Sequence, residues 1–222
     1  LAAVVDFVVA RGGSVRLIGD DQQLAAIGAG GVLRDIAATH GAVHLSELMR
    51  FVDPAEGAAS LALREGQPEA LGFYLDRGRI HVGDLAVVTD EVFTSWARDK
   101  GNGLDSLMLA PTRDLVSQLN QRAQAHRLAD LDHGAGVPLA DGSTAHVGDL
   151  LITRSNDRRL RVSATDWVKN GDRWTVLACR SDGSVTVQHA RHQHVTTLPG
   201  AYVADSTELG YATTIHGAQG VS

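Results

Sequence analysis

The sequence predicts an α/β fold interrupted by a small antiparallel β-barrel. Helix-spaced apolar segments alternate with short β-branched runs up to about His133. From about Gly134 short β-rich runs follow one another, divided by Asp141-Gly142, Asn170-Gly171 and Asp182-Gly183, the last two strong tight-turn signals between strands. A strand that again belongs to the α/β style returns at Tyr211–Ile215. The barrel therefore reads as an insertion.

The elements follow in order. Leu1–Arg11 is apolar and helix-forming, and Gly12-Gly13 stop it. Ser14–Ile18 reads as a short strand that turns at Gly19-Asp20. Gly31–Thr39 places Val32, Leu33 and Ile36 on one helical face, and Val43–Leu45 reads as a second short strand. Pro54–Glu65 carries Pro at a helix start and Gly66 as its stop, a grammar repeated over Pro68–Arg77. Asp84–Lys100 aligns Leu85, Val88, Val92 and Trp96, and Gly101 closes it. Ser106–Ala110 is an apolar strand, followed by a helix from about Arg113 to His126. Within the barrel, strands are expected at Leu150–Thr153, Trp174–Cys179, Ser184–His189 and His194–Leu198.

At 222 residues with 44% hydrophobic and 21% charged residues, the chain suits one large domain or two to three small ones. The single Cys179 excludes an intramolecular disulfide and a multi-cysteine zinc site. No apolar run approaches the roughly 18–20 residues of a membrane span. Nothing at the start reads as a signal peptide, which points to the cytoplasm. The chain opens at Leu1 without an initiator Met and reads as an excised piece of something longer.

The net charge of −6 is unevenly spread. Residues 1–110 hold nine Lys/Arg against fifteen Asp/Glu, whereas residues 151–194 hold eight against four. A local basic surface on an acidic protein is compatible with phosphate contact, and solvated strand faces also carry arginine.

Several segments carry chemistry. Gly19-Asp20-Asp21-Gln22-Gln23-Leu24 presents acids and amides from a strand end, where ligands sit in open α/β sheets, although taken alone an Asp/Gln-rich loop capping the next helix explains it better. Ile27-Gly28-Ala29-Gly30-Gly31 lacks the spacing of a dinucleotide fingerprint. Arg50 can reach a phosphate bidentately, or can pair with Glu47 or Asp53. Thr112 and Arg113 stand at a helix N-terminus, where free N–H groups and a capping hydroxyl favour anions. Thr213-Thr214-Ile215-His216-Gly217-Ala218-Gln219-Gly220 packs hydroxyls, an imidazole, an amide and glycines after one strand, a set suited to nucleic-acid backbone contact. His189, His192 and His194 alternate in face and lack carboxylates at ligand spacing, so they read as solvated and no metal is expected. Trp174 reads as barrel core, and Trp167 as either core or a base-stacking platform.

In order, these segments resemble the motor motifs of RecD-like superfamily 1 helicases. Gly19-Asp20-x-x-Gln23-Leu24 resembles motif III, Arg50 sits at the motif IV arginine, and Tyr211–Gly220 resembles motif V. Arg50–Gly66 and Gly148-Asp149-Leu150-Leu151-Ile152-Thr153-Arg154 are closer still to the helicase half of conjugative relaxase-helicases. The resemblance implies RecA-like P-loop NTPase lobes: 1–49 as the tail of lobe 1, 50–133 and 206–222 as lobe 2, and 134–205 as an SH3-like barrel. It implies ATP and Mg²⁺ in the parent protein, with Gly19, Asp20, Gln23, Arg50 and Gly220 at the nucleotide. Gln23 and Arg50 would sense its γ-phosphate. It assigns Thr112, Arg113, Thr214, His216 and Gln219 to single-stranded DNA, with Arg158, Arg159 and Arg161 on the barrel, and 5′ to 3′ movement. The partners implied are single-stranded DNA and the rest of a parent chain, with or without a relaxase domain.

The departures are specific. The sequence contains no Gly-x-x-x-x-Gly-Lys-Ser/Thr loop, and Asp90-Glu91 lies inside a helix, so it does not serve as the metal-binding pair. The sequence reads as stopping before the place of motif VI and its arginine finger. Gly217 stands where many relatives carry Lys within motif V. Without those groups the chain alone is expected not to hydrolyse ATP and to hold no cofactor. The rival readings are a non-catalytic DNA- or protein-binding module on an acidic α/β scaffold, and a degenerate helicase paralogue.

Overall fold

The computed structural model describes residues 2–20, 32–45, 48, 51–129 and 131–218. The chain divides into two compact units, Leu1–Ile80 and His81–Ser222. The mixed α/β class expected from the sequence is present.

The first unit contains helices α1 (Ala2–Val9), α2 (Val32–His40), α3 (Pro54–Arg64) and α4 (Leu71–Leu75), with a 3-10 turn at Pro68–Ala70. The punctuation behaves as the residues dictate. Asp53 accepts from the Ala55 N–H at 2.9 Å, Pro54 opens α3, and Gly66 at φ +76° leaves it. The strands expected at Ser14–Ile18 and Val43–Leu45 are absent. Both segments are irregular, and no strand among the described residues of this unit pairs with them. A strand exists only through its ladder, and unpaired β-branched residues lie open instead, with Ile18 94% and Val43 96% exposed.

The second unit begins with α5 (Leu85–Gly101), whose N-terminus is capped by Asp84 accepting from the Val87 N–H. Trp96 is buried, with Val92 and Phe93 packed around it, while Leu85 in the first turn is exposed. Strand β1 (Met108–Ala110) leads into α6 (Arg113–Leu128), which buries Val116, Leu119, Asn120 and Ala123 at helical spacing.

Ten further strands follow: β2 (Val137–Pro138), β3 (Thr144–Ala145), β4 (Leu150–Thr153), β5 (Asp157–Arg161), β6 (Trp167–Val168), β7 (Arg173–Cys179), β8 (Val185–His189), β9 (Val195–Leu198), β10 (Thr207–Leu209) and β11 (Ala212–Thr214). Helix α7 (Gly200–Ser206) lies between β9 and β10. Five of the strands form an antiparallel sheet in the order β10-β4-β7-β8-β9, and β2-β3 and β5-β6 are separate two-stranded sheets. No closed barrel is found among the described residues, because β10 and β9 remain the outer strands of the five. Strand β7 alternates inward Trp174 and Val176 with outward neighbours, and β8 does the same with Val185 and Val187.

Strand β11 pairs in parallel with β1, Met108 opposite Ala212 and Ala110 opposite Thr214. Tyr211–Ile215, expected as a strand of the α/β part, thus pairs with the α/β strand β1, although the ladder spans only Ala212–Thr214. The corner between β10 and β11 needs Gly210, since a Cβ there would lie 2.8 Å from the Leu151 carbonyl carbon. Its N–H donates to Leu150 O at 2.7 Å. One continuous core joins α5, α6, β1 and β11 to the five-stranded sheet through Trp96, Met108, Leu119, Leu151, Trp174, Leu209 and Tyr211. Burying these side chains supplies the main stabilisation of the unit.

One histidine reading changes, while His192 and His194 are exposed as expected. His189 is buried, edge-on to Trp174 at 4.8 Å and stacked on His192 at 4.8 Å. Its Nδ1 accepts from the N–H groups of Arg191 and His192. The tight return from β8 to β9, with Gln193 at φ +58°, folds the ring back over the sheet end instead of leaving it solvated.

Candidate nucleic-acid interface

Parallel pairing of β1 and β11 brings their C-terminal ends to one edge, the place where open α/β sheets bind ligands. From β1 the chain turns through Pro111 into Thr112, the N-cap of α6, whose Oγ1 accepts from the Leu115 N–H at 3.3 Å. Thr112 and Arg113 are both exposed there. From β11 the chain passes through half-buried Thr214 to a 3-10 turn at His216–Ala218, with His216 exposed. The Ile215 N–H donates to Ala110 O at 3.3 Å and ties the two exits together. Thr112, Arg113, Thr214 and His216 are thus gathered at one sheet edge. Gln219 and Gly220 lie outside the described residues.

The edge is held from behind by groups that the sequence reading missed. Asn120 sits on the buried face of α6, donates to Leu209 O at 3.1 Å and accepts from the Ala212 N–H at 2.7 Å. An amide at the position four after Val116, on an otherwise apolar stripe, was its available signal. Asp149, fully buried just before β4, accepts from Arg127 Nη2 at 2.6 Å, Tyr211 Oη at 2.5 Å, Gln124 Nε2 at 2.6 Å and the His146 N–H at 2.7 Å. Burial and the Asp149 charge push the Tyr211 phenol well above its ordinary value, so it stays a donor. Residues from α6, the β4 approach and the start of β11 are fixed by one carboxylate.

The three arginines expected on a barrel lie on β5 and are not equivalent. Arg158, Arg159 and Arg161 are all exposed on β5. Arg159 forks onto Asp157 at 2.8 and 3.0 Å, and that hydrogen bonding holds the Asp157 carboxyl down to about 2. Arg161 reaches Ala164 O at 3.4 Å. Arg158 lies 5.1 Å from the half-buried Trp167 ring, with the Lys169 ammonium 5.5 Å from it. Trp174 is fully buried core.

The residues expected at a nucleotide are divided. Gln23 and Arg50 lie outside the described residues, as does Gly220. Gly19 and Asp20 lie in the first unit. A Cβ on Gly19 would fall 2.5 Å from Leu33 Cδ1, and Asp20 pairs with Arg64 at 3.7 Å. A side chain fills the space beside Gly19, and the sequence has no phosphate loop, so the described residues do not by themselves fit ATP and Mg²⁺. Among the described residues no cluster of His, Cys, Asp or Glu could hold a metal ion. No helix among them is long and apolar enough to cross a membrane.

Comparison with known proteins gives two kinds of similarity. Residues 1–85 match the family model described as an AAA domain. The whole chain aligns with the conjugal transfer protein TraA of Agrobacterium fabrum at 32% identity over 231 residues. It aligns in full with the TraA of Rhizobium radiobacter at 29% and with a probable TraA of Sinorhizobium fredii at 28%. The chain spans about a fifth of the length of these relatives, 20% in each case. Across its whole length the chain is similar to conjugal transfer proteins TraA, and its first part is similar to an AAA domain.

Proposed function

We propose that the chain is a motor segment of a conjugative DNA helicase, and that its own contribution is to grip single-stranded DNA by its backbone. The observation that carries this reading is the joint placement of Thr112, Arg113, Thr214 and His216 at the β1/β11 edge. These are donors without base-reading geometry, the kind of group that positions a strand without regard to sequence.

In this reading 1–49 ends one RecA-like lobe and 50–133 with 206–222 forms the second. Residues 134–205, whose strands β4, β7, β8 and β9 are completed to a five-stranded sheet by β10, are an SH3-like insertion that steers the strand through Arg158 and Arg161. Gln23 and Arg50 sense a nucleotide whose phosphate loop and Mg²⁺ site the longer protein supplies, with Gly19, Asp20 and Gly220 nearby. Closing and reopening the nucleotide cleft would drive 5′ to 3′ stepping in the cytoplasm. The chain alone does not hydrolyse ATP, because it lacks the groups that neutralise charge during phosphoryl transfer.

Fluorescence anisotropy with a labelled oligothymidylate tests the reading. Binding is expected in the non-specific range, on the order of 10⁻⁴ to 10⁻⁶ M. For three or four neutralised phosphates the log–log salt slope is roughly −2 to −3. Absence of binding at low salt would reject it.

A further inference from the structure

We propose that Arg154, to which the sequence assigns no contact of its own, supplies the cation that holds a backbone phosphate beyond β11. This rests on the single-stranded DNA reading above and names one contact within it. Arg154 directly follows β4, and its backbone N–H donates to Ser206 O at 2.8 Å. Its Nε donates to Glu208 Oε2 on β10 at 2.7 Å. Both ends of the side chain's path are thereby fixed, while the side chain remains 28% exposed. A guanidinium engaged through Nε still carries its terminal donors.

Those donors face a space kept open by the lack of a side chain at Gly217. A Cβ there would lie 3.8 Å from Arg154 Nη1, 3.0 Å from Thr214 Oγ1 and 2.8 Å from Thr213 Oγ1. Any side chain at 217 would collide with the two hydroxyls. The Gly217 N–H donates to Thr214 Oγ1 at 3.0 Å, which leaves the Thr214 proton for another acceptor. Thr213 Oγ1 is fully buried and has no hydrogen-bond partner. Buried hydroxyls are normally satisfied, and an orphan beside a positioned guanidinium marks a place for a ligand oxygen.

The occupant that fits is a phosphodiester oxygen. Two threonine hydroxyls offer donors, and the planar guanidinium fork matches an anionic oxygen pair. Glu208 fixes the arginine and also offsets its charge. The contact is therefore directional rather than a diffuse attraction, and it depends on neighbouring phosphates held at the Thr112 and His216 edge.

The test is the salt dependence of oligothymidylate binding by the whole chain, with thermal unfolding as the folding control. The double variant Arg154→Ala/Glu208→Gln removes the cation without changing local net charge. It is expected to bind more weakly, with a log–log salt slope shallower by about 0.7, the single-strand value for one phosphate contact. Arg154→Lys is expected to keep the slope, since the charge stays. Gly217→Ala, which fills the space, is expected to weaken binding and serves if the double variant fails to fold. An unchanged slope in the double variant, or an unchanged affinity in Gly217→Ala, while the wild type binds, would overturn the assignment. No binding by the wild type would instead reject the underlying reading. Inorganic phosphate added at constant ionic strength should displace oligothymidylate equally from wild type and double variant. Selective displacement from the wild type would make this a free-phosphate site and overturn the backbone assignment.

Discussion

The two units are built from similar residues and bury them very differently. His81–Ser222 places Trp174, Leu151, Leu198 and Leu209 at full burial in one continuous core. Leu1–Ile80 leaves Val4 63%, Phe7 57%, Ile18 94% and Val52 101% exposed, and among its described residues Ala59 is the one buried apolar side chain. Helix propensity and caps are present in both, so local signals do not explain the contrast. Tertiary burial does. Helices of eight and nine residues such as α1 and α2 are marginal on their own propensity, and most helical stability in proteins comes from packing.

The largest expected effect lies in the second unit's buried carboxylate. Asp149→Ala leaves the partly exposed Arg127 without its counter-ion and Tyr211, Gln124 and the His146 N–H without their acceptor, and should cost about 3–5 kcal/mol in urea unfolding. The comparable deletion in the first unit, Glu56→Ala, removes an exposed pair with Arg79 and should cost no more than about 1 kcal/mol. Equal costs would erase the distinction between the units. Truncating apolar side chains sharpens it: Leu209→Ala should lose about 2–5 kcal/mol, and Val4→Ala should stay within about 0.5 kcal/mol.

Asn120→Ala follows, at about 1–3 kcal/mol, because the Ala212 N–H and Leu209 carbonyl lose their buried partner. Its further readout is weaker oligothymidylate binding, since the turn into β11 loosens. A stability loss with undiminished binding would remove Asn120 from the positioning of the edge.

The smallest effect is a pH dependence. Burial holds the His189 imidazole below its ordinary value, against the opposing pull of Asp172 at 3.7 Å, with His192 stacked on it and Asp166 nearby. The unfolded chain therefore takes up a proton that the folded one resists. Stability should fall as pH drops through about 6.5. His189→Gln should flatten that part of the urea-midpoint profile, and an unflattened profile would place the dependence on another group.

How much was legible follows the same contrast between local and long-range determinants. The cap at Thr112, the helix start at Pro54, the strand Leu150–Thr153 and the Asp182-Gly183 turn are written in neighbouring residues, and each appears where its residues predict. Ser14–Ile18 has strand composition, yet a strand also needs a partner that no local pattern reveals. Thr207–Leu209 gave no signal of its own, and joins the five-stranded sheet through register with Leu151–Thr153. His189 was misread because alternation predicts a face, while a tight return can fold that face inward. At the edge, Thr112, Thr214 and His216 were legible as residue types in order. Asn120, Asp149 and Arg154 become visible only when chain segments dozens of residues apart meet.

The most direct measurement is amide hydrogen exchange on the whole chain, with and without a saturating oligothymidylate at low salt. Without DNA, Met108–Ala110 should exchange far more slowly than Val15–Ile18, reflecting the two burial regimes. With DNA, new protection should appear at residues 112–115 and 213–217 and leave residues 2–20 unchanged. Protection confined to the first unit, or none at the β1/β11 edge despite binding, would contradict the assignment of that edge to the DNA backbone.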